Sequence, residues 1–360
     1  MFTAYNYHTS SAEFNDIIDG AVALVKDTYE GVRTENRAQK LVDLNKQIIE
    51  YSLMGTRYEG QGSEAFKNPQ VTRNGQVRDN FDAVIAEIIT AAAPAVASAE
   101  YAEYFAEVHQ VGWGETARFI IHSNDLFKVN EIAEGVTRGA LQPIYDDEIT
   151  VNTGKVEVAT SIDFYQVAAG VFDWGVLGAK LSKSFAAYVF LKIVAAMTSA
   201  ASQLGAGYTA SGFSTANWIK LEDLVSAANG GNVAVYGIGT LAALNKVIPE
   251  TVGLQYGLGE KMADQGHLDK YLGARLIPID QVLVPGTVNS TNPKFAVPAD
   301  KIYFVAADKD KPAKVVYEGD QVVVERDEKN STDRKYTISI QMRIGTAAIV
   351  GSKFGILTLN

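Results

Sequence analysis

Residues 232–244 read NVAVYGIGTLAAL, and they hold the spacing in this chain that comes nearest to cofactor chemistry. A β-rich run, Val233 to Tyr236, leads into Gly237, Gly239 and Ala242, followed by a helical pattern. This is the G-x-G-x-x-A spacing with which a dinucleotide-binding turn brings backbone amides to a pyrophosphate. Such a fold also needs repeated βα units and an acid at the end of a second strand to hold the ribose. Glu260 lies at a suitable distance, but within the polar, glycine-rich GLGEKMADQGHLD, and the βα rhythm does not repeat. We therefore read the stretch as a strand-to-helix turn in which glycine permits an unusual backbone angle, and expect no nicotinamide oxidoreductase and no cofactor. The four histidines, His8, His109, His122 and His267, include no pair at i, i+4 and no HExxH. Asp146-Asp147-Glu148 has the charge for a divalent cation, yet neighbours on an extended chain point apart, so we read a solvated or interface run. No serine sits in a G-x-S-x-G elbow. No catalytic, cofactor or metal residue is assigned.

Composition narrows the class further. The chain has 360 residues, 47% of them hydrophobic and 21% charged, enough for one large core or two moderate ones. Its formal net charge is −10, and no basic cluster occurs, which argues against sequence-specific nucleic-acid binding. Cysteine is absent, which removes disulfides, thiolate catalysis and Cys-ligated zinc, and points to an intracellular setting. The opening MFTAYNYHTSSAEF does not read as a secretory signal. The most apolar segment, Val176 to Leu204, carries Lys180, Lys183 and Lys192. It falls short of the roughly 18 uncharged apolar residues of a membrane span, so no membrane partner is expected.

Helical periodicity places a first helix on Phe14, Ile17, Ile18, Ala21, Val22 and Val25, with Ser10 and Glu13 in capping-box form. A second carries Leu41, Leu44, Ile48 and Tyr51, and a third runs from Asp79 to about Ala92. The polar, glycine-rich stretch from Gly55 to Gly75 between them reads as loop. The longest helix is predicted from Val176 to about Gln203, with Leu177, Leu181, Phe185, Tyr188 or Val189, Ile193 and Met197 as its stripe; 28 residues would extend roughly 42 Å. From Trp218 to Asp308 helices and strands mix, with strands at NVAVYGI, ARLIPI and KIYFVAAD and helices at IKLEDLVSAAN and TLAALNKVI. A long antiparallel hairpin, KVVYEGDQVVVERD and KYTISIQMRIGTAAIV around the tip EKNSTDR, precedes a last strand in FGILTL.

The segment from Val111 to Gly170 fits none of these elements. Strand-like ends, TARFII and then EITV and KVEVATSIDFY, enclose a middle with little to bury. Between Asp125 and Glu157 lie seven acidic and three basic residues with Gly135, Gly139, Gly154 and Pro143. A two-stranded arm lying on a neighbouring subunit accounts for such a segment, since an isolated hairpin is marginal in water.

This order, with VGWGETARFII before the arm, FDWG before the long helix and YTISIQMRIGTAAIVGSKFGILTL at the end, resembles the major capsid protein of tailed bacteriophages over nearly the whole chain. Encapsulin nanocompartments share that fold and are the alternative. The resemblance implies an α+β fold with an N-terminal helical arm (1–78), a peripheral domain (79–114, 164–216 and 309–350) with its spine helix at 176–204, an extended loop (115–163), and an axial domain (217–308 and 351–360). It implies self-assembly through hexamers and pentamers into an icosahedral head around double-stranded DNA, bound without sequence preference. Portal, scaffold and possible decoration proteins would be partners, and assembly would take place in the host bacterial cytoplasm. A negative chain suits a wall that must not hold phosphates tightly. The candidate intersubunit contacts are Glu131, Glu134, Arg138, Asp146, Asp147 and Glu148 in the arm and Arg326, Asp327, Glu328, Lys329, Asp333 and Arg334 around the hairpin tip. Lys128 and Lys155 also lie in the arm, with nothing to mark either as reactive.

Overall fold

A computed structural model describes residues 12–29, 31–32, 36–92, 104–122, 127–129, 131, 145–163, 166–167, 169–231, 233–248, 262, 264–307, 311–326, 335–349 and 353–359. The chain divides into two compact units. One comprises Met1–Ser98, Gly154–Ala186 and Glu318–Ile344; the other comprises Ala99–Thr153, Ala187–Tyr317 and Gly345–Asn360.

In the first unit the expected helices form as α1 (Ala12–Tyr29), α2 (Arg37–Leu53) and α5 (Gly75–Ala92). Their apolar stripes, including Ile17, Ile18, Leu24 and Val25, then Leu44, Ile48 and Leu53, then Phe81, Val84 and Ile85, are buried. Residues 55–75 are not a plain loop as expected, because they contain α3 (Gly62–Phe66) and α4 (Pro69–Thr72). Ala65, Phe66 and Val71 are buried there, with the Phe66 ring 6.0 Å from that of Phe81, so a few apolar residues suffice to fold a polar stretch down. The expected boundary at residue 78 falls inside α5. Ser10, half of the predicted capping box, lies outside the described residues.

The FDWG sequence does structural work at the start of α6 (Trp174–Ala201). The Asp173 carboxylate accepts a hydrogen bond from the Val176 amide at 3.0 Å, an N-cap, and pairs with Arg37 of α2 at 2.7 Å. Buried Trp174 donates from Nε1 to Asn45 Oδ1 at 3.0 Å, and Asn45 Nδ2 donates to the Leu41 and Phe172 carbonyls at 2.8 and 2.9 Å. Every polar atom of this buried asparagine is thus engaged with a partner, which is what makes its burial tolerable. A Cβ on Gly175 would lie 2.7 Å from Thr28 Oγ1, and one on Gly178 would lie 2.4 Å from Val25 Cγ2, so α1 seats on α6 only because both positions lack a side chain.

Helix α6 has the 28 residues and much of the predicted stripe: Leu181, Phe185, Val189, Ile193 and Met197 are buried. By length and composition it could cross a membrane, the one such helix among the described residues. Burial of its stripe within the protein marks it as a core helix instead. Strand β4 (Gly154–Asp163) lies antiparallel to β11 (Lys335–Ala348), paired from Gly154↔Ile344 to Asp163↔Lys335. The expected extended loop of 115–163 therefore loses its last ten residues to a sheet, whose strand order is β1 (Ala106–Val111), β10 (Ala313–Arg326), β11, β4.

The second unit holds a six-stranded mixed sheet, β5 (Thr209–Ser211), β12 (Gly355–Thr358), β9 (Lys301–Ala306), β6 (Val235–Thr240), β8 (Ala274–Ile279) and β7 (Lys270–Tyr271), in that spatial order. Helix α7 (Thr215–Ala228) packs Trp218, Leu221 and Val225 into a core with Leu276, Ile302, Phe304 and Leu357. Ser214 caps α7 by accepting from the Asn217 amide at 3.1 Å. The helix predicted over TLAALNKVI is only α8 (Leu241–Leu244), capped by Thr240.

Candidate functional site

The glycine pair that could have bound a cofactor does not form a turn. Gly237 and Gly239 both lie inside β6, hydrogen-bonded between parallel β8 and antiparallel β9, and neither has a positive φ. The expectation of an unusual backbone angle is corrected: the glycines make room. A Cβ on Gly237 would sit 2.9 Å from Leu276 Cδ2 and 3.2 Å from Trp218 Cη2, and one on Gly239 would sit 3.2 Å from the Lys301 carbonyl oxygen. Their amides serve a mixed sheet, and the helix that follows has four residues, so the phosphate-cradling geometry is not formed here. Among the described residues no group of three or more His, Asp or Glu side chains could hold a metal ion.

The arm and its root are built with more care. Strands β2 (Ala117–His122) and β3 (Tyr145–Val151) form an antiparallel ribbon from Ala117↔Val151 to His122↔Tyr145, with an irregularity at Ile121/His122. At its base Ala117 and Val151 pack on Val316 of β10, with Val111, Phe119, Ile149 and Ala347 around them. Beside this cluster the buried Lys314 ammonium bonds the Glu107 carboxylate and lies 5.6 Å above the Phe119 ring, while Glu107 also meets His109 Nε2 at 2.9 Å. The His109 ring stands edge-on to Phe119 at 4.7 Å. A Cβ on Gly345 would lie 2.6 Å from the Asn152 carbonyl oxygen, so that glycine admits the chain where it leaves the ribbon.

Before the ribbon, GWGE forms a tight turn. The Glu115 amide donates to the Gly112 carbonyl at 3.1 Å, Gly114 has φ 77°, and the Glu115 carboxylate accepts from the Gly112 amide at 2.9 Å. It displays Trp113. Trp113, Ile120 and Phe127 are each more than half exposed, and Val129 is 97% exposed.

A family model described as "SPbeta prophage-derived putative capsid protein YonB" matches residues 21–358. The chain belongs to this capsid-protein family. It is a tailed-phage major capsid protein with an α+β fold, a structural protein of the virion capsid. No curated protein matches it. Among solved structures it is similar to the capsid of a native GTA particle, at 11% identity over 73% of this chain and 90% of that one, with a TM-score of 0.51. It is also similar to the capsid of cyanophage P-SCSP1u, at 16% identity over 72% and 87% with a TM-score of 0.45. A virus-like particle from Pyrococcus furiosus aligns at 12% identity over 75% and 98% with a TM-score of 0.44. At 11% identity the likeness to the GTA capsid is one of fold.

In this capsid protein five of the twelve contact residues named from sequence fall among the described residues. Glu148 on β3 meets Arg118 on β2 at 3.5 Å, an exposed pair of the kind that contributes about 0–1 kcal/mol. Glu131 is exposed; Asp146 and Asp147 fall on β3 and Arg326 ends β10. Glu134, Arg138, Asp327, Glu328, Lys329, Asp333 and Arg334 lie outside the described residues. The exposure of Trp113, Ile120, Phe127 and Val129 was not read from the sequence. The signal was there: a tryptophan between two glycines in a tight turn has no strand or helix to carry it into a core.

The polar knot at the root makes a testable contribution. The hydrogen bond from Lys314 is the main cause that holds the Glu107 carboxyl below its usual 4.5. Its stabilising contribution is therefore fully present above pH 4.5 and lost as pH falls through the lower folded-state value. Glu107→Gln should lose about 1–2 kcal/mol at neutral pH by urea denaturation and flatten the acid side of the stability curve. This is less than for a fully buried pair, because the Glu107 side chain stays 42% exposed while that of Lys314 is 6% exposed. An unchanged curve would remove the pair from the anchor.

Proposed function

We propose that many copies of this capsid protein close, through hexamers and pentamers, into an icosahedral head that encloses double-stranded DNA. The observation that carries the reading is the arm: an anchored ribbon whose root is packed on β10 while Trp113, Ile120, Phe127 and Val129 stay exposed. Burial of such side chains is worth about 25 cal/mol per Å² of apolar surface, so a neighbouring subunit that covers them contributes more than the arm's exposed ion pairs. The arm thus acts as a clamp between copies, with charges such as Glu131 and Glu148 at its rim. The compact six-stranded sheet, within 217–308 and 351–360 apart from β5, serves as the axial domain. The four-stranded sheet and α6 serve as the peripheral domain.

The net charge of −10 keeps the wall from holding the packaged phosphates tightly. Portal, scaffold and decoration proteins complete the particle, which assembles in the cytoplasm of the bacterial host.

Electron microscopy of the purified chain over a range of concentrations tests this reading. Closed shells, or rings of five and six, are expected. A protein that remains monomeric throughout would overturn it.

A further inference from the structure

Strands β7 and β8 are joined by a two-residue turn, Leu272-Gly273, closed by the pairs Tyr271↔Ala274 and Lys270↔Arg275. Leu272 has φ 49° and Gly273 has φ 108°. These are the angles of a type I′ hairpin turn, whose first position asks for Asn, Asp or Gly. Leucine has no side-chain polar group to offset the left-handed conformation, and only one other non-glycine residue among those described, Asn36, has a positive φ.

Leu272 is 40% exposed, and the core beneath the turn is filled by its neighbour Tyr271, whose ring lies 5.1 Å from that of Trp218 and whose hydroxyl is 3.1 Å from Thr215 Oγ1. β7 is a two-residue strand at the edge of the sheet. A Cβ on Gly273 would be 3.0 Å from Glu222 Oε1 on α7, and Ile219, one turn before Glu222, is also exposed. An apolar knuckle at a sheet edge, flanked by exposed Lys270 and the Glu222 carboxylate, has the apolar centre and charged rim of a contact surface.

We infer that Leu272 is an anchor on which a second copy of this chain seats. The inference rests on the shell-forming reading, which supplies the occupant: in a shell made of one chain, the surface meeting a sheet edge belongs to another copy. Backbone strain retained at an exposed apolar residue is accounted for when the side chain is buried in the assembly and the turn must hold it there.

Two variants separate the subunit from the assembly. Leu272→Asn suits the left-handed conformation and removes the apolar side chain; Leu272→Ala removes the side chain and keeps the strain. For dissociated subunits followed by circular dichroism, Leu272→Asn should raise Tm by about 2 °C and Leu272→Ala should leave it within about 1 °C. For assembly followed by sedimentation and electron microscopy at one fixed concentration, both should reduce the assembled fraction several-fold. A fall in subunit Tm for Leu272→Asn would show that the side chain serves its own fold, and normal assembly by both variants would remove it from the interface; either overturns this inference alone. If the wild-type chain formed no assemblies, the shell reading would fail and this inference with it.

Discussion

Replacing residues 123–144 by a short Gly-Ser turn is expected to give a chain that still melts cooperatively but no longer closes into shells. The ribbon register from Ala117↔Val151 to His122↔Tyr145 survives the replacement, as do the packing of Ala117 and Val151 on Val316 and the Lys314–Glu107 bond. The subunit's Tm should therefore stay within about 2 °C of wild type. Phe127 and Val129, both exposed, are removed. Each lost contact need be worth only about 1.4 kcal/mol to weaken a pairwise association tenfold, and a closed shell repeats that loss at every copy. Sedimentation, microscopy and melting on one preparation decide the matter. An unfolded variant would make the arm part of the core, and normal shells would show that it is not the clamp.

Trp174→Ala should be the most damaging single substitution in the first unit, with a loss of about 3–5 kcal/mol. The indole is fully buried, edge-on to Phe81 at 6.4 Å and to Phe172 at 4.6 Å, and its removal also deprives Asn45 of a donor. Trp174→Phe keeps most of the volume and loses the Nε1 hydrogen bond, so its loss should be nearer 1–2 kcal/mol. Urea denaturation monitored by far-ultraviolet circular dichroism reads both. Equal losses would put the whole effect in the hydrogen bond, and a loss under about 1 kcal/mol for alanine would mean that the cavity collapses.

Several elements were legible because their signal is local. The stripes of α1, α2, α5 and α6 repeat every three to four residues, and burial follows them. Strand β1 was not legible, for a physical reason. Over Glu107, Val108 and His109 the two polar side chains are the half-buried ones and Val108 is exposed, so the usual alternation is reversed there. The reversal is stable because Lys314, 207 residues away in sequence, meets the Glu107 carboxylate. The apolar face proposed for contacts between copies was not legible: charge runs stand out in a sequence, whereas the exposure of Trp113, Ile120, Phe127 and Val129 becomes visible only once the core has been filled without them.

The glycines mark the same division. Gly237 and Gly239 read as a turn because the strand before them and the helical pattern after them are local features, and the sequence by itself determined both of those. Tertiary structure decided that the two residues lie within β6, since what forbids a side chain there is Trp218, Leu276 and the Lys301 carbonyl, brought from elsewhere in the chain. The order of helices, arm, long helix and final hairpin was likewise fixed by periodicity and composition along the chain. Which strand pairs with which was not: β4 leaves the arm for β11 because Gly154–Asp163 finds its hydrogen-bond partners about 180 residues further on, and period-two alternation carries no information about the identity of a partner.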